Sequence, residues 1–421
     1  MIFSYKKIIG LSLIVLIINL MISAIGFFRE IIIANYFGTS HILDIYNLGI
    51  VFPMVFVGVL SSTIVAVVTS KYINSKNKKI FFWGNLKDLL ILNILLFIIL
   101  SFVIEFCYKY FFISYSNSDL NNIQLVSFLF LPIITFQSIS SYFDALLNLE
   151  NNILKNALSG VLLPLGVIFF LILFKEYNIY SIILGFYFGY TLKLLIQIYL
   201  YRKIFLRKDD VSERAYDGYT IRKDFLNLSL SSIILAFMPL ITNIYASKFG
   251  DGTVSSMNYA YKLIGIGFML FSSVINSVYF PYISKKFSIN KNLALKESLI
   301  ITFLSMIFVS IFLIPVYFYA NEFISIIFER GRFDSNSTDK VANILRSFLW
   351  HIPFYIGGLF LSRTILSLEK SKVFIIGNLI SIVVLCLFIF VFKSDYFNVG
   401  LAFLLVYSIS FFYLLFHSLR R

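Results

Sequence analysis

Apolar runs of roughly 20 residues recur from Ile8 to the C-terminus, each long enough as a helix to cross the hydrocarbon core of a bilayer. Read as helices, they fall at 8–33, 43–70, 86–113, 121–148, 153–174, 178–201, 225–247, 255–283, 296–319, 339–362, 373–392 and 398–419. No stretch between them is long enough to fold as a soluble domain. Of the 421 residues, 59% are hydrophobic and only 13% are charged. Soluble domains carry about 25% charged residues, so the solvent for most of this surface is lipid. The expected fold class is therefore an all-α polytopic membrane protein of about twelve transmembrane helices. The first run is too long for a cleavable signal peptide and lacks a small-residue cleavage site, so it is read as a membrane helix.

A net charge of +14 raises the question of nucleic acid. Position answers it. With the N-terminus inside, roughly 24 of the 35 Lys and Arg fall on the cytoplasmic side. They cluster at Lys71, Lys76, Lys78 and Lys79, from Arg202 to Lys223, at Lys285, Lys286, Lys291 and Lys296, and at Lys370, Lys372, Arg420 and Arg421. Such asymmetry is the positive-inside signature of membrane topology. It puts both termini in the cytoplasm, makes membrane lipids the expected surroundings, and excludes nucleic acid as a partner. The two cysteines, Cys107 and Cys386, have no metal-ligand spacing, and no metal site is expected.

The longest polar interruption divides the chain into an N-lobe over 1–203, a cytoplasmic linker over 204–224 and a C-lobe over 225–421. Six helices fall in each lobe, and both lobes start on the cytoplasmic side, as in a parallel repeat. Ala34-Asn35-Tyr36-Phe37-Gly38 recurs as Ala246-Ser247-Lys248-Phe249-Gly250. Leu147-Asn148-Leu149-Glu150 recurs as Leu366-Ser367-Leu368-Glu369. Both matches occupy equivalent places in the two halves. All seven prolines fall in or at the ends of predicted helices, where proline serves either as a hinge or as an ordinary membrane-helix residue.

Polar stripes mark the first, second and eighth helices. The first carries Ser12, Asn19, Ser23, Gly26, Arg29 and Glu30; the second Asp44, Asn47, Gly58, Ser62 and Thr69; the eighth Asn258, Lys262, Gly265, Ser272 and Asn276. Small and polar positions serve helix packing, but intramembrane charge is costly and points to function. Arg29, Lys262 and Arg346 lie in the outer third of their helices, and Lys193 lies deeper, toward the inner half of the sixth. Facing one cavity, these four would bind an anion such as a pyrophosphate, with Glu30 and Asp44 as charge partners beside Arg29. The competing reading is snorkelling or a local Arg–carboxylate pair.

Signatures of catalysis are absent: there is no Walker A pattern, and His41, His351 and His417 are scattered. No cofactor and no catalytic residue is expected. The segment 329–334 reads as a turn, with Ser337 or Thr338 capping the helix after it.

Gly26-Phe27-Phe28-Arg29-Glu30, followed by Ala34-Asn35-Tyr36-Phe37-Gly38 and Asp44, resembles the opening of the MviN/MurJ lipid II flippases. These belong to the multidrug/oligosaccharidyl-lipid/polysaccharide exporter superfamily. The resemblance continues in Tyr259-Ala260-Tyr261-Lys262-Leu263, in Phe328-Glu329-Arg330-Gly331-Arg332-Phe333 and around 147–163, in the same order. It implies two pseudo-symmetric six-helix lobes around a central cavity that opens alternately to either side of the bacterial cytoplasmic membrane. It also implies cavity arginines that engage the pyrophosphate of a polyprenyl-linked saccharide. Arg29 matches the family's first-helix arginine; Lys262 stands where an arginine is usual, and Val51 where another is expected. Two further C-terminal helices of the family have no counterpart here. The implied substrate is lipid II or a related undecaprenyl-linked repeat unit, as for O-antigen or capsule, with glycan-synthesis enzymes as partners. The expected driving force is the membrane potential or a Na+/H+ gradient. A drug exporter would favour acidic cavity residues, and a glycan polymerase or acyltransferase would need a large outer loop or an acid–base constellation.

Overall fold

Short polar residues between the apolar runs set several helix ends. Asn77, Ser116, Asn290 and Asp334 each turn a side-chain oxygen onto a backbone N–H of the first helical turn that follows. The computed structural model describes residues 5–72, 75, 77–112, 115–150, 152–205, 225–226, 228–229, 232–233, 236–368, 370, 372–391 and 397–420. Most of the 204–224 linker lies outside the described residues. Among those described there is no strand, and the protein is all-α.

The helices group into two compact units, one of residues 1–33 and 45–236, the other of 34–44 and 237–421. The first contains most of α1 (Tyr5–Phe37) and α2 (His41–Tyr72), then α3 (Lys78–Phe111), α4 (Asn117–Leu149), α5 (Ile153–Ser159), α6 (Leu162–Leu173) and α7 (Tyr180–Phe205). Its tightest pair is α6 on α7, and glycine makes it so. A Cβ on Gly185 would come within 2.5 Å of the Val167 Cα, and one on Gly189 within 2.7 Å of the Leu162 carbonyl oxygen. Gly185 and Gly189 are one turn apart on α7, the spacing that lets membrane helices approach backbone to backbone. On α3, by contrast, Phe102 and Phe106 are 70% and 65% exposed, as suits a helix face turned to lipid.

The second unit holds α8 (Met238–Ala246), then α9 (Thr253–Val274), which runs through a π-turn at Ile275–Tyr279 into α10 (Phe280–Ile289). After these come α11 (Lys291–Phe318), α12 (Ala320–Phe328), α13 (Ser335–Leu349), α14 (Ile352–Ser367), α15 (Lys372–Val391) and α16 (Phe397–Leu419). Leu361 and Ile365 of α14 pack with Phe411 and Leu414 of α16 in a core that Leu299 and Met306 of α11 extend. Gly357 meets Met306 and Phe411 there, and a Cβ in its place would force one of those side chains to shift.

Twelve uninterrupted spans are not what the described residues present. Eight helices are long and apolar enough to cross a bilayer, or nine if α13 and α14, bent by 45° at their junction, count as one. The hydrogen bonding of the eighth predicted helix slips to a π-turn before Pro281. The tenth breaks at Trp350 and His351, just ahead of Pro353. A further short helix, α12, occupies a stretch expected to be loop. The turn at 329–334 is present with Gly331 at φ 58°, but Asp334 rather than Ser337 or Thr338 is the cap of α13. A carboxylate accepts more strongly than a hydroxyl, and here the Ser337 hydroxyl donates to it at 2.7 Å.

Candidate functional site

Arg29 lies on α1, in a segment otherwise apolar enough to span a bilayer. Its Nε and Nη2 donate to Glu30 Oε1 at 3.2 and 2.5 Å. The guanidinium carbon sits 5.4 Å above the ring centroid of Phe186 on α7. Arg29 keeps 21% of its side chain exposed and Glu30 only 6%. The local Arg–carboxylate pair anticipated as a competing reading is thus formed, and it neutralises the charge where it stands.

Lys193 is also paired. Its Nζ donates to Asp144 Oδ2 of α4 at 3.1 Å, in a nearly buried ion pair. Gln197, one turn along α7, donates to Asp144 Oδ1 at 2.8 Å and to Asn156 Oδ1 at 3.0 Å. Asn156 in turn donates to Asn148 Oδ1 at 3.1 Å. Phe186, Tyr190, Lys193 and Gln197 recur at intervals of four, three and four, so one face of α7 carries both ion pairs' surroundings. Tyr190 is within electrostatic reach of Arg29 and Asp144 alike.

Asp44 has a different role from the charge partner expected. It is fully buried and accepts from the backbone N–H of Gly252 at 2.6 Å, from that of Ser255 at 2.7 Å and from the Ser255 hydroxyl at 2.5 Å. These are the orphan donors at the start of α9, whose own N-cap, Gly252, has no side chain to supply. Asp44 therefore caps a helix 208 residues away. The rest of segment 34–44 is fastened beside it. His41 Nδ1 lies 2.7 Å from Asp251 Oδ1, Thr39 bonds Ser337 at 2.8 Å, and the Arg332 N–H donates to the Asn35 carbonyl at 3.0 Å.

The other two cations expected at the site sit in this second unit. Lys262 of α9 places its ammonium 5.8 Å from the centroid of the Tyr259 ring. Arg346 of α13 donates to three neutral oxygens: the Tyr317 carbonyl at 3.1 Å, Asn343 Oδ1 at 2.9 Å and Asn321 Oδ1 at 2.7 Å. Each pair of cations therefore belongs to one unit, Arg29 with Lys193 and Lys262 with Arg346.

Sequence reading overlooked one residue, Arg363. Arg363 falls inside α14, past the expected helix end, with its guanidinium carbon 5.8 Å from the Phe280 ring and its Nε without a hydrogen-bond partner among the described residues. Its place one residue beyond a predicted boundary concealed it. His351 is a packed histidine, 1% exposed at the α13–α14 bend and stacked on Tyr407 at 5.1 Å. Among the described residues no group of three or more His, Cys, Asp or Glu is placed to hold a metal. Two cavities, of about 380 and 390 Å3, are lined almost wholly by apolar side chains and suit hydrocarbon rather than a charged head group.

The family profile described as lipid II flippase MurJ matches residues 33–421. A probable lipid II flippase MurJ of Borreliella burgdorferi is 24% identical over 96% of this chain and 81% of its own length. Another, from Buchnera aphidicola, is 24% identical over 88% of this chain and 75% of its own. Among solved structures, a lipid II flippase MurJ in an inward closed conformation superposes with a TM-score of 0.79 at 20% identity, covering 96% of this chain and 87% of that one. A multidrug resistance MATE family transporter of the MOP superfamily, inward-facing, gives 0.67 at 14% identity over 97% and 98%. The last two are likenesses of fold alone. With the family profile spanning most of the chain, this protein belongs to the lipid II flippase MurJ family, as a multi-pass transporter of the bacterial inner membrane rather than an enzyme.

Proposed function

We propose that this chain carries an undecaprenyl-pyrophosphate-linked saccharide, lipid II in the first instance, from the inner to the outer leaflet of the cytoplasmic membrane. Twelve helices in two six-helix lobes would open a cationic cavity to each side in turn, with both termini in the cytoplasm and the membrane potential or a Na+/H+ gradient as driving force. A duplicated origin is supported by the glycines of the two matched loops. Gly38 and Gly250 both have positive φ, 58° and 89°, and both follow a helix end.

The observation that carries the reading is Arg29, held in an apolar helix by a single adjacent carboxylate. Both Arg29 donors converge on the single Oε1 of Glu30, whereas a pyrophosphate offers the planar guanidinium two oxygens at once and more charge. Binding is then an exchange of partners, which leaves the arginine ready but never bare in the membrane.

Complementation tests it. A bacterial strain depleted of its own lipid II flippase should regain growth when this chain is present in its membrane. Failure to rescue, with membrane expression verified, would rule out lipid II as cargo. The second reading, an O-antigen or capsule repeat unit, is favoured by Val51 in place of an expected arginine, and loss of surface polysaccharide in a strain lacking this chain would establish it.

A further inference from the structure

Around Asp144 the first unit holds buried oxygens that no neighbouring donor reaches. The Gln197 amide nitrogen has two hydrogens, yet three acceptors converge on it: Asp144 Oδ1 at 2.8 Å, Asn156 Oδ1 at 3.0 Å and the Ser140 carbonyl at 3.4 Å. Gln197 and Ser140 are both fully buried. The Gln197 Oε1 and the Ser140 hydroxyl nonetheless have no hydrogen-bond partner among the described residues. Ser140 and Asp144 are one turn apart on α4, and the Asp144 carboxylate is partly accessible. A buried polar atom left unpaired is costly, and two in one cluster indicate a missing electropositive group.

We propose that this cluster is a binding site for Na+, built from the Asp144 carboxylate with the oxygens of Ser140, Asn156 and Gln197. Hard cations take oxygen ligands, and a single carboxylate among neutral oxygens suits a monovalent ion. Lys193 is the site's resident counter-charge, its ammonium 3.1 Å from Asp144. Na+ and the ammonium compete for one carboxylate, and their mutual repulsion disfavours holding both beside it. Na+ entry therefore displaces Lys193 from Asp144. The released ammonium lies on the face of α7 shared with Tyr190 and Phe186, the ring beneath Arg29, and becomes available to an anion. Cation and anion would then each favour the other's binding, as linkage requires. The cation site itself stands whatever the cargo.

Calorimetric titration of the full chain in lipid nanodiscs tests it, with NaCl replacing choline chloride at constant ionic strength. Saturable Na+ binding is expected in the wild type and should be lost in Asp144→Asn. Lys193→Gln, which removes the competitor, should bind Na+ at least about tenfold more tightly; a purely structural lysine gives no such gain. Ser140→Ala leaves the ion pair intact and should weaken binding, which keeps the test decisive should Lys193→Gln not fold. Binding that survives Asp144→Asn, absence of binding in both wild type and Lys193→Gln, or an unchanged affinity in Ser140→Ala would each overturn the proposal.

Discussion

Arg29 and Lys193 in the first unit are held in the opposite way to Arg346 in the second. In the first, Arg29 and Lys193 each lie against a carboxylate, Glu30 and Asp144, so the charge is cancelled within a few ångströms. In the second, Arg346 is satisfied by two amide oxygens and a carbonyl, which accept its protons but leave its charge. Buried ion pairs gain little net stability because desolvation consumes much of the attraction. They do provide a switch: a partner of like charge can replace the carboxylate. Under the proposed function, the first unit would offer cations that respond to an arriving anion, and the second a cation whose field is always present.

Removing the cation of a balanced pair should have the largest effect. Arg29→Ala is expected to abolish transport, and Glu30→Ala alone to retain it, at a membrane abundance matched by immunoblot. Lys193→Met leaves Asp144 without its counter-charge and should cost about 3–5 kcal/mol. A thermal melt of the purified protein measures this, and Lys193→Met combined with Asp144→Leu should recover most of it. An equal loss in the double variant would mean that the pair is not the unit of stability.

Disturbing the neutral cradle should matter less. Asn321→Ala removes the hydrogen bond it accepts from Arg346 and the exposed one it donates to Asp339; the first should cost about 1.5–3 kcal/mol, with transport reduced rather than lost. At the small end, Asp334→Ala removes the cap of α13, about 1 kcal/mol, read as faster amide exchange at Ser337 and Thr338. Asp334 is exposed, and the Ser337 N–H and hydroxyl hold its carboxyl below the usual range. Since the folded pKa is the lower one, the cap is fully present above the unfolded value of about 3.9. It is lost as the pH falls through the folded value, so protection at Ser337 should drop in acid and stay constant at neutral pH and above.

Most helices were legible because a continuous apolar run of bilayer length has few alternatives to a helix. Breaks were not. The π-turn at Ile275–Tyr279 and the bend at His351 depend on neighbouring helices, and α12 is a nine-residue helix whose Asn321 and Glu322 read as loop. The Gly185–Gly189 spacing was visible in the sequence, but only the backbone approach of α6 shows what it does. Among charged residues, Arg29 and its adjacent carboxylate could be read from neighbours in sequence. Asp44 could not, since the α9 donors it caps lie 208 residues or more along the chain. Lys193 needed Asp144, on another helix, before its pairing could be seen.

The measurement that bears most directly on Arg29 compares Arg29→Ala with the double variant Arg29→Ala, Glu30→Ala in the depleted strain. If Arg29 serves only to neutralise Glu30, removing both restores growth. If it binds the anionic head group, both variants fail while the wild type grows. Failure of both, at wild-type membrane abundance, is the expected result; rescue by the double variant would contradict it.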